Sequence, residues 1–175
     1  MLTVGQNFPE YNCKACTGLT MDDLTEINSN TYEGKWTFFL FYPKDFTFVC
    51  PTELVEFGKA LADFEDRDVQ LLGGSTDNEF SHLAWRQSHE DLKSLPYPLI
   101  AAQKLAQDLG IVCGSENVCL RASFLVDPNG VIQWVNVNNL SVGRSVEEAL
   151  RVIDGVQSDE LCPCNWKKGE ETIQL

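Results

Sequence analysis

Trp36-Thr-Phe-Phe-Leu-Phe-Tyr42-Pro43-Lys-Asp-Phe-Thr47-Phe-Val-Cys50-Pro-Thr-Glu53-Leu-Val-Glu-Phe-Gly-Lys-Ala-Leu-Ala-Asp-Phe64 is the stretch that decides the fold. Its first seven residues are aromatic and apolar almost throughout, the pattern of a strand covered on both faces. Pro43 stops that strand. Beyond the loop Lys44–Val49, residues Leu54, Phe57, Leu61 and Phe64 recur at spacings of three, four and three. They mark one face of a helix beginning near Pro51, where proline suits a first helical turn. Val69–Leu72 then reads as a short buried strand ended by Gly73-Gly74. Strand, helix and strand at these distances make a βαβ unit with parallel pairing and a right-handed crossover.

Outward from this unit, Asn78–Lys93 has helical composition and ends before Pro96. Leu105–Leu109 is a shorter helix closed by Gly110. Ala122–Val126 and Val131–Val137 flank Asp127-Pro-Asn-Gly130, a β-hairpin signal. Ser145–Val156 reads as a final amphipathic helix, with Ser145 as N-cap and Val146, Leu150 and Ile153 on one face. Residues 157–175 carry two cysteines and a tryptophan but no periodicity. They are expected to form an arm leaving a core made of residues 1–156, a single domain overall.

The 175 residues carry 13 Lys+Arg against 26 Asp+Glu, a formal net charge of −13. That balance excludes the clustered positive charge that nucleic acid requires and opposes adhesion to anionic membranes. A hydrophobic share of 43%, with ten Phe and four Trp, excludes a disordered chain. The start, MLTVGQNFPEYN, has no basic segment followed by an apolar stretch, so no secretory signal is expected and a cytoplasmic location is. The most apolar run, Trp36–Tyr42, falls far short of the ~20 residues of a membrane helix. In a reducing compartment seven cysteines are not a disulfide framework. They point instead to packing, metal or redox chemistry.

Cys50 enters the helix from the loop after the buried strand. The first turn of a helix has unpaired N–H groups and a partial positive charge, and both favour negative charge on a sulfur placed there. Thr47, three residues earlier, offers a hydroxyl to that sulfur and to an incoming oxygen. Pro43 stiffens the loop and helps keep water away. Against this stands the commoner fate of a lone cysteine, a buried apolar packing residue.

Pro43-x-x-x-Thr47-x-x-Cys50 resembles the active-site signature of peroxiredoxins, and FYPKDFTFVCPTEL is similar to the alkyl hydroperoxide reductase C group of the 2-Cys peroxiredoxins. His82-Leu-Ala-Trp85, Leu95-Pro-Tyr-Pro98, Phe124-Leu-Val-Asp-Pro128 and Val142-Gly-Arg-Ser-Val146 follow in the order expected of that group. The resemblance implies an α/β, thioredoxin-like fold, a central mixed β-sheet flanked by helices with a C-terminal arm. It implies a thiol peroxidase in which Cys50 is the peroxidatic cysteine, attacking a hydroperoxide and becoming a sulfenic acid. By the same likeness Arg121 polarises the sulfur, and Glu53 and Arg144 orient Arg121. No bound cofactor or metal is implied, because sulfur carries the two-electron chemistry.

Leu161-Cys-Pro-Cys-Asn-Trp166 supplies the second redox element under this resemblance. A second thiol condenses with a sulfenic acid to give a disulfide. Cys162 matches the resolving cysteine, which in similar proteins reaches the active site of the other subunit. Cys164 departs from the commoner pattern, and the resulting Cys-x-Cys resembles the actinobacterial branch; two thiols this close could share the resolving role or shuttle a disulfide outward, with Cys162 expected first. A homodimer follows, with ring-shaped decamers common in similar proteins. An external dithiol protein closes the cycle, whether thioredoxin, a flavoprotein disulfide reductase or a small dithiol adaptor.

The other cysteines leave alternatives open. Cys13-Lys-Ala-Cys16 has the spacing of a redox dithiol or a zinc ligand pair, beside a purely structural role. With Cys162 and Cys164 it would make a four-thiolate zinc set, at the expense of the resolving thiols. As a dithiol it would support a general disulfide oxidoreductase, the runner-up enzyme. A holdase whose assembly responds to oxidation of Cys50 is the non-enzymatic alternative. Cys113 and Cys119 read as ordinary thiols across a flexible loop. His82 and His89, seven apart, are expected on a helix surface or in packing.

Overall fold

The computed structural model describes all 175 residues. The chain forms β1 (Asn12–Cys16), β2 (Leu24–Asn28), β3 (Trp36–Phe41), α1 (Cys50–Lys59), α2 (Leu61–Glu65), β4 (Val69–Ser75), α3 (Glu79–Ser88), β5 (Leu99–Ala101) and α4 (Gln103–Leu109). The short pair β6 (Val112–Cys113) and β7 (Val118–Cys119) follows, then β8 (Arg121–Val126), β9 (Ile132–Asn138) and α5 (Val146–Ser158). Seven strands build one mixed sheet in the order β2-β1-β5-β4-β3-β8-β9. β3 pairs parallel with β4 and antiparallel with β8, so the strand with the most apolar sequence lies inside the sheet.

Its alternation divides the core. Phe39 and Phe41 point into a cluster with Leu72, Ile100, Leu105 and Phe124. Phe38, Leu40 and Tyr42 point to the other face, against Leu54, Phe57, Phe64 and Trp85. Period-two alternation with apolar residues on both sides is what a strand covered by helices on both faces requires. The α/β architecture is therefore that of a central mixed sheet flanked by helices.

The βαβ unit forms with two differences from the sequence pattern. The helical run breaks at Ala60 (φ −91°, ψ 7°) into α1 and α2. Leu54, Phe57 and Phe64 nevertheless stay in one cluster, so the periodicity survives the break. The strand expected to end at Gly73-Gly74 runs through both glycines to Ser75. A Cβ on Gly73 would lie 2.6 Å from Leu99 Cδ2, and one on Gly74 2.8 Å from Ile100 Cγ1. The glycines make room for β5 beside β4 rather than stopping the strand.

Other boundaries shift for similar local reasons. α3 stops at Ser88, because His89 turns to an extended conformation and a single 3-10 turn, Glu90–Leu92, follows. Asn78 caps α3 by accepting the Ser81 N–H at 2.9 Å, and Ser145 caps α5 by accepting the Glu148 N–H at 3.1 Å. Gly110 closes α4 at φ +70°. β8 and β9 form the expected hairpin around Asp127–Gly130, with a register shift near Val126.

Residues beyond α5 fold back along that helix instead of leaving the molecule. Trp166 is buried, packs over Gly155 and donates from Nε1 to the Glu170 carbonyl at 3.1 Å. Lys167 pairs with Glu147 and Lys168 with Asp154. Asp154 also pairs with Arg67, and Gln157 donates to the Arg67 carbonyl. These bonds tie the end of α5 to the segment just before β4.

Gly73→Ala tests the close approach of β4 and β5. Its methyl group must displace Leu99 and crowd Leu54 and Tyr97 in a packed core, and overpacking of this kind costs about 1–3 kcal/mol. Urea unfolding should show that loss with little change in the slope of the transition.

Candidate active site

Cys50 is the first residue of α1 and is 1% exposed. Its position follows from the sheet: β3 ends at Phe41, the loop from Pro43 to Val49 crosses the end of the sheet, and α1 runs back down. Pro51 occupies the second helical position and no side chain caps the helix. Pro51 has no N–H, and the Thr52 and Glu53 N–H groups donate to the Val49 carbonyl at 3.1 and 3.3 Å. The helix end thus favours negative charge at the sulfur through its partial positive charge and not through a backbone hydrogen bond.

Two donors converge on Cys50 Sγ. Thr47 Oγ1 donates at 3.0 Å and Arg121 Nη1 at 3.4 Å. Thr47 Oγ1 also lies 2.8 Å from the Lys44 carbonyl. A hydroxyl has one hydrogen, so it serves one of these acceptors at a time. Arg121 is the first residue of β8. Its Nε donates to the Leu140 carbonyl at 2.6 Å, which fixes the plane of the guanidinium.

Glu53, one turn into α1 from Cys50, joins two arginines. Its Oε2 accepts from Arg121 Nη1 at 2.7 Å and from Arg144 Nη2 at 3.0 Å. Its Oε1 accepts from Arg144 Nε at 2.8 Å and from the Arg144 N–H at 2.9 Å. Arg144 Nη1 reaches the Ala122 carbonyl and Ser123 Oγ. All three side chains are buried. Burial pushes the Glu53 carboxyl up, but the hydrogen bonds and charge of Arg144, with the charge of Arg121, outweigh it and hold the group below its ordinary value of 4.5.

Cys50, Thr47, Arg121, Glu53 and Arg144 thus form one connected cluster, with Pro43 opening the loop that carries Thr47. Cys162 is not among them. Its sulfur lies 3.9 Å from the Gly155 carbonyl and 3.6 Å from Ser158 Oγ, at the end of α5. The start of α5 follows directly on Arg144, and its 13 residues span about 20 Å at 1.5 Å per residue. Because β3 and β4 are parallel, the Arg67 end of the sheet to which α5 is tied lies opposite the Cys50 end. Cys164, two residues on, is exposed.

The remaining cysteines are placed by the strands that carry them. Cys13 and Cys16 sit three apart on β1 and so point to opposite faces. Burial raises the Cys13 thiol to about 11, and burial outweighs the nearby Arg86 to raise that of Cys16. They cannot close on each other as a dithiol or chelate one zinc ion together. Cys113 pairs with Val118, and Cys119 with Val112, so these two thiols also face apart. Burial pushes Cys119 up to about 12.

Of the two expectations for His82, helix surface or packing, the structure takes the second. His82 is fully buried, with Nδ1 2.8 Å from Asp45 Oδ2 and Nε2 3.2 Å from the Ile100 carbonyl. Sequence reasoning also passed over Asp45 and Tyr42 in this network and the Leu140 carbonyl behind Arg121. The sequence marked the histidine by its place in the His82-Leu-Ala-Trp85 motif and by its helical spacing from His89, neither of which points to Asp45.

Residues 4–135 match the model of the AhpC/TSA family. The chain is 51% identical over 185 residues to an alkyl hydroperoxide reductase C from Mycolicibacterium smegmatis, covering 99% of this chain and 94% of the relative. Identity to the Mycobacterium tuberculosis protein of the same name is 47%, with the same coverage. The solved structure of M. tuberculosis AhpC superposes with a TM-score of 0.86 at 46% identity, covering 95% of this chain and 99% of that one. A reduced 2-Cys peroxiredoxin from Plasmodium vivax gives 0.90 at 36% identity, covering 99% and 94%.

Glu53→Gln tests the buried triad. Removing the carboxylate charge leaves two buried guanidinium groups without a counter-charge, and breaking a buried pair in this way costs about 3–5 kcal/mol. Because the folded-state carboxyl lies below 4.5, its stabilisation is complete above that pH and is lost as pH falls through the folded-state value. Unfolding followed from neutral to acid pH should therefore show a steeper loss of stability in the wild-type protein than in E53Q.

Proposed function

The chain belongs to the AhpC/TSA family and is a thiol peroxidase with a thioredoxin-like fold, and from that premise we propose that Cys50 is its peroxidatic thiol. The observation that carries this reading is the convergence of Thr47 and Arg121 on Cys50 Sγ. The sulfur, as thiolate, attacks the terminal oxygen of a hydroperoxide. A sulfur–oxygen bond forms, the O–O bond breaks, and the departing oxygen takes a proton to leave as water or alcohol. Cys50 is left as a sulfenic acid. Arg121 stabilises the charge that moves from sulfur to the departing oxygen, and its fixed plane means that nothing need reorganise during the step. Thr47 turns its single hydrogen toward sulfur or substrate. Glu53 and Arg144 orient Arg121, and Pro43 shapes the loop.

Resolution by Cys162 then has to come from another subunit. A disulfide requires Cα atoms about 4.4–6.8 Å apart, and the chain's own Cys162 lies at the far end of α5. The partner's thiolate attacks the Cys50 sulfur, a sulfur–sulfur bond forms, and the sulfenic oxygen leaves as water. Cys164, exposed and two residues away, is the second resolving thiol or the exit for the disulfide. A dithiol protein, whether thioredoxin, a flavoprotein disulfide reductase or a small dithiol adaptor, reduces the disulfide and regenerates both thiols. That need for reduced thiols fits a cytoplasmic setting. No helix is long and apolar enough to cross a membrane.

The surface supports assembly of copies. β9 is a seven-residue strand at an open edge of the sheet, and such an edge is a template for pairing with a second copy. Phe46 and Phe80 are largely exposed, and Phe48 is 92% exposed. This apolar surface beside the Cys50 loop is suited to bury itself between dimers, which fits a decameric ring.

One equivalent of hydrogen peroxide added to reduced protein, followed by thiol blocking and mass-spectrometric mapping of disulfides, tests the cycle. The expected product is an intersubunit Cys50–Cys162 link that is absent in Cys50→Ser. Cys162→Ser should redirect the link to Cys164. A dominant Cys13–Cys16 link with Cys50 left reduced would overturn the assignment.

A further inference from the structure

Arg121 and Glu53 hold Cys50 from the sheet side, but Thr47 belongs to the loop Pro43–Val49, which has no regular structure. That loop adopts a costly conformation. Phe46 has φ +56°, in the left-handed region where a bulky side chain crowds its own backbone. Its ring is partly exposed and leans toward Trp85, with the ring centroids 6.1 Å apart.

The restraint comes from the neighbouring residue. Asp45 is 3% exposed, and its carboxylate meets three side chains. Oδ1 accepts from the Tyr42 hydroxyl at 2.8 Å, while Oδ2 lies 2.8 Å from both His82 Nδ1 and Ser81 Oγ. The Asp45 N–H donates to Asp77 Oδ2 at 2.9 Å, and that oxygen also accepts from Ser75 Oγ at 2.8 Å. His82 is anchored in turn on the Ile100 carbonyl. Burial, with the charge of Asp45 beside it, pushes the Tyr42 hydroxyl well up, so it remains a donor. Tyr42 just after β3, the first turn of α3 and Asp77 just after β4 thus all bind one loop residue. That residue stands between Lys44, whose carbonyl meets the Thr47 hydroxyl, and the strained Phe46.

We propose that Asp45 is a positioning residue, a clasp that holds the loop in the form that aims Thr47 at Cys50 and that sets how readily the loop opens to an incoming thiol. The proposal rests on the reading of Cys50 as peroxidatic. Because Cys50 is enclosed, its sulfur must be uncovered before another cysteine can reach bonding distance. The closed loop serves attack on peroxide, and the open loop serves the disulfide. A weakened clasp therefore slows the first step and speeds the second. A side chain that merely supports the fold would not move the two rates in opposite directions.

Asp45→Asn removes the charge and replaces one acceptor oxygen with a donor. Ser81→Ala removes a single bond to the same carboxylate. Rapid-quench mass spectrometry on the full-length protein follows Cys50 sulfenic acid and the Cys50 disulfide separately after a peroxide pulse. In D45N, sulfenic acid formation should fall on the order of tenfold to a hundredfold, as for a misaligned reacting group, while conversion to disulfide becomes faster. S81A should shift both rates the same ways to a smaller extent. If D45N does not fold, S81A carries the comparison. Both rates unchanged, or both slowed, in a variant that retains wild-type far-UV circular dichroism would overturn the clasp. Absence of Cys50 sulfenic acid in the wild-type protein would overturn the peroxidatic reading as well, which separates the two failures.

Discussion

Glu53 is a single buried carboxylate facing two buried guanidinium groups, Arg121 and Arg144. Removing these charges from water is costly, and the cost is offset only where every donor finds an acceptor at good geometry. That condition fixes the relative placement of three segments distant in sequence: α1, the start of β8 and the turn before α5. Two positive charges and one negative leave the triad one positive charge in excess, and Arg121 Nη1, the donor to Glu53, also reaches Cys50 Sγ. The ion pairs that hold these segments together are thus the ones that fix a guanidinium beside the sulfur, the placement on which the proposed role of Cys50 rests.

Much of the architecture was legible because it depends on local pattern. Trp36–Tyr42 could hardly be anything except an inner strand, and the spacing of Leu54, Phe57, Leu61 and Phe64 survived a break in the helix because both halves bury the same side. Ser145 and Gly110 acted as caps for reasons confined to their own turns. Gly73-Gly74 was misread because glycine has two uses. It punctuates chains, and it also lets two backbones approach, and only the position of Leu99 and Ile100 distinguishes them. Periodicity along one segment carries no information about what lies beside it.

The site was legible in a different way. Cys50 and Thr47 are three residues apart, and a helix entry alone suggests their contact. Arg121 is 71 residues from Cys50, and nothing in its surroundings marks it, so its place rested on resemblance to a family. His82 was harder, since its partner Asp45 lies 37 residues away and the helix pattern gives a buried histidine and an exposed one the same spacing. Cys13-x-x-Cys16 shows the converse. The spacing invites dithiol chemistry, but a strand turns residues three apart to opposite faces, and burial then raises both thiols. A motif has chemical meaning only on the secondary structure that presents it.

A thiol that must first meet a small peroxide and then a whole partner segment faces two incompatible demands. The first favours a closed, dry, rigid site, and the second favours an open one. Here the two demands fall on different sides of the sulfur. Arg121 is anchored by Glu53 and the Leu140 carbonyl and belongs to the packed sheet, so it has no low-cost way to move. Thr47 belongs to an irregular loop with a strained residue at Phe46, held through the side chains around Asp45. Local opening in proteins begins in segments of low contact density, and this loop contains no helix or strand. Under the proposed role of Cys50, opening on that side uncovers the sulfur while leaving the Arg121, Glu53 and Arg144 triad intact, so the arginine does not have to be repositioned in each turnover.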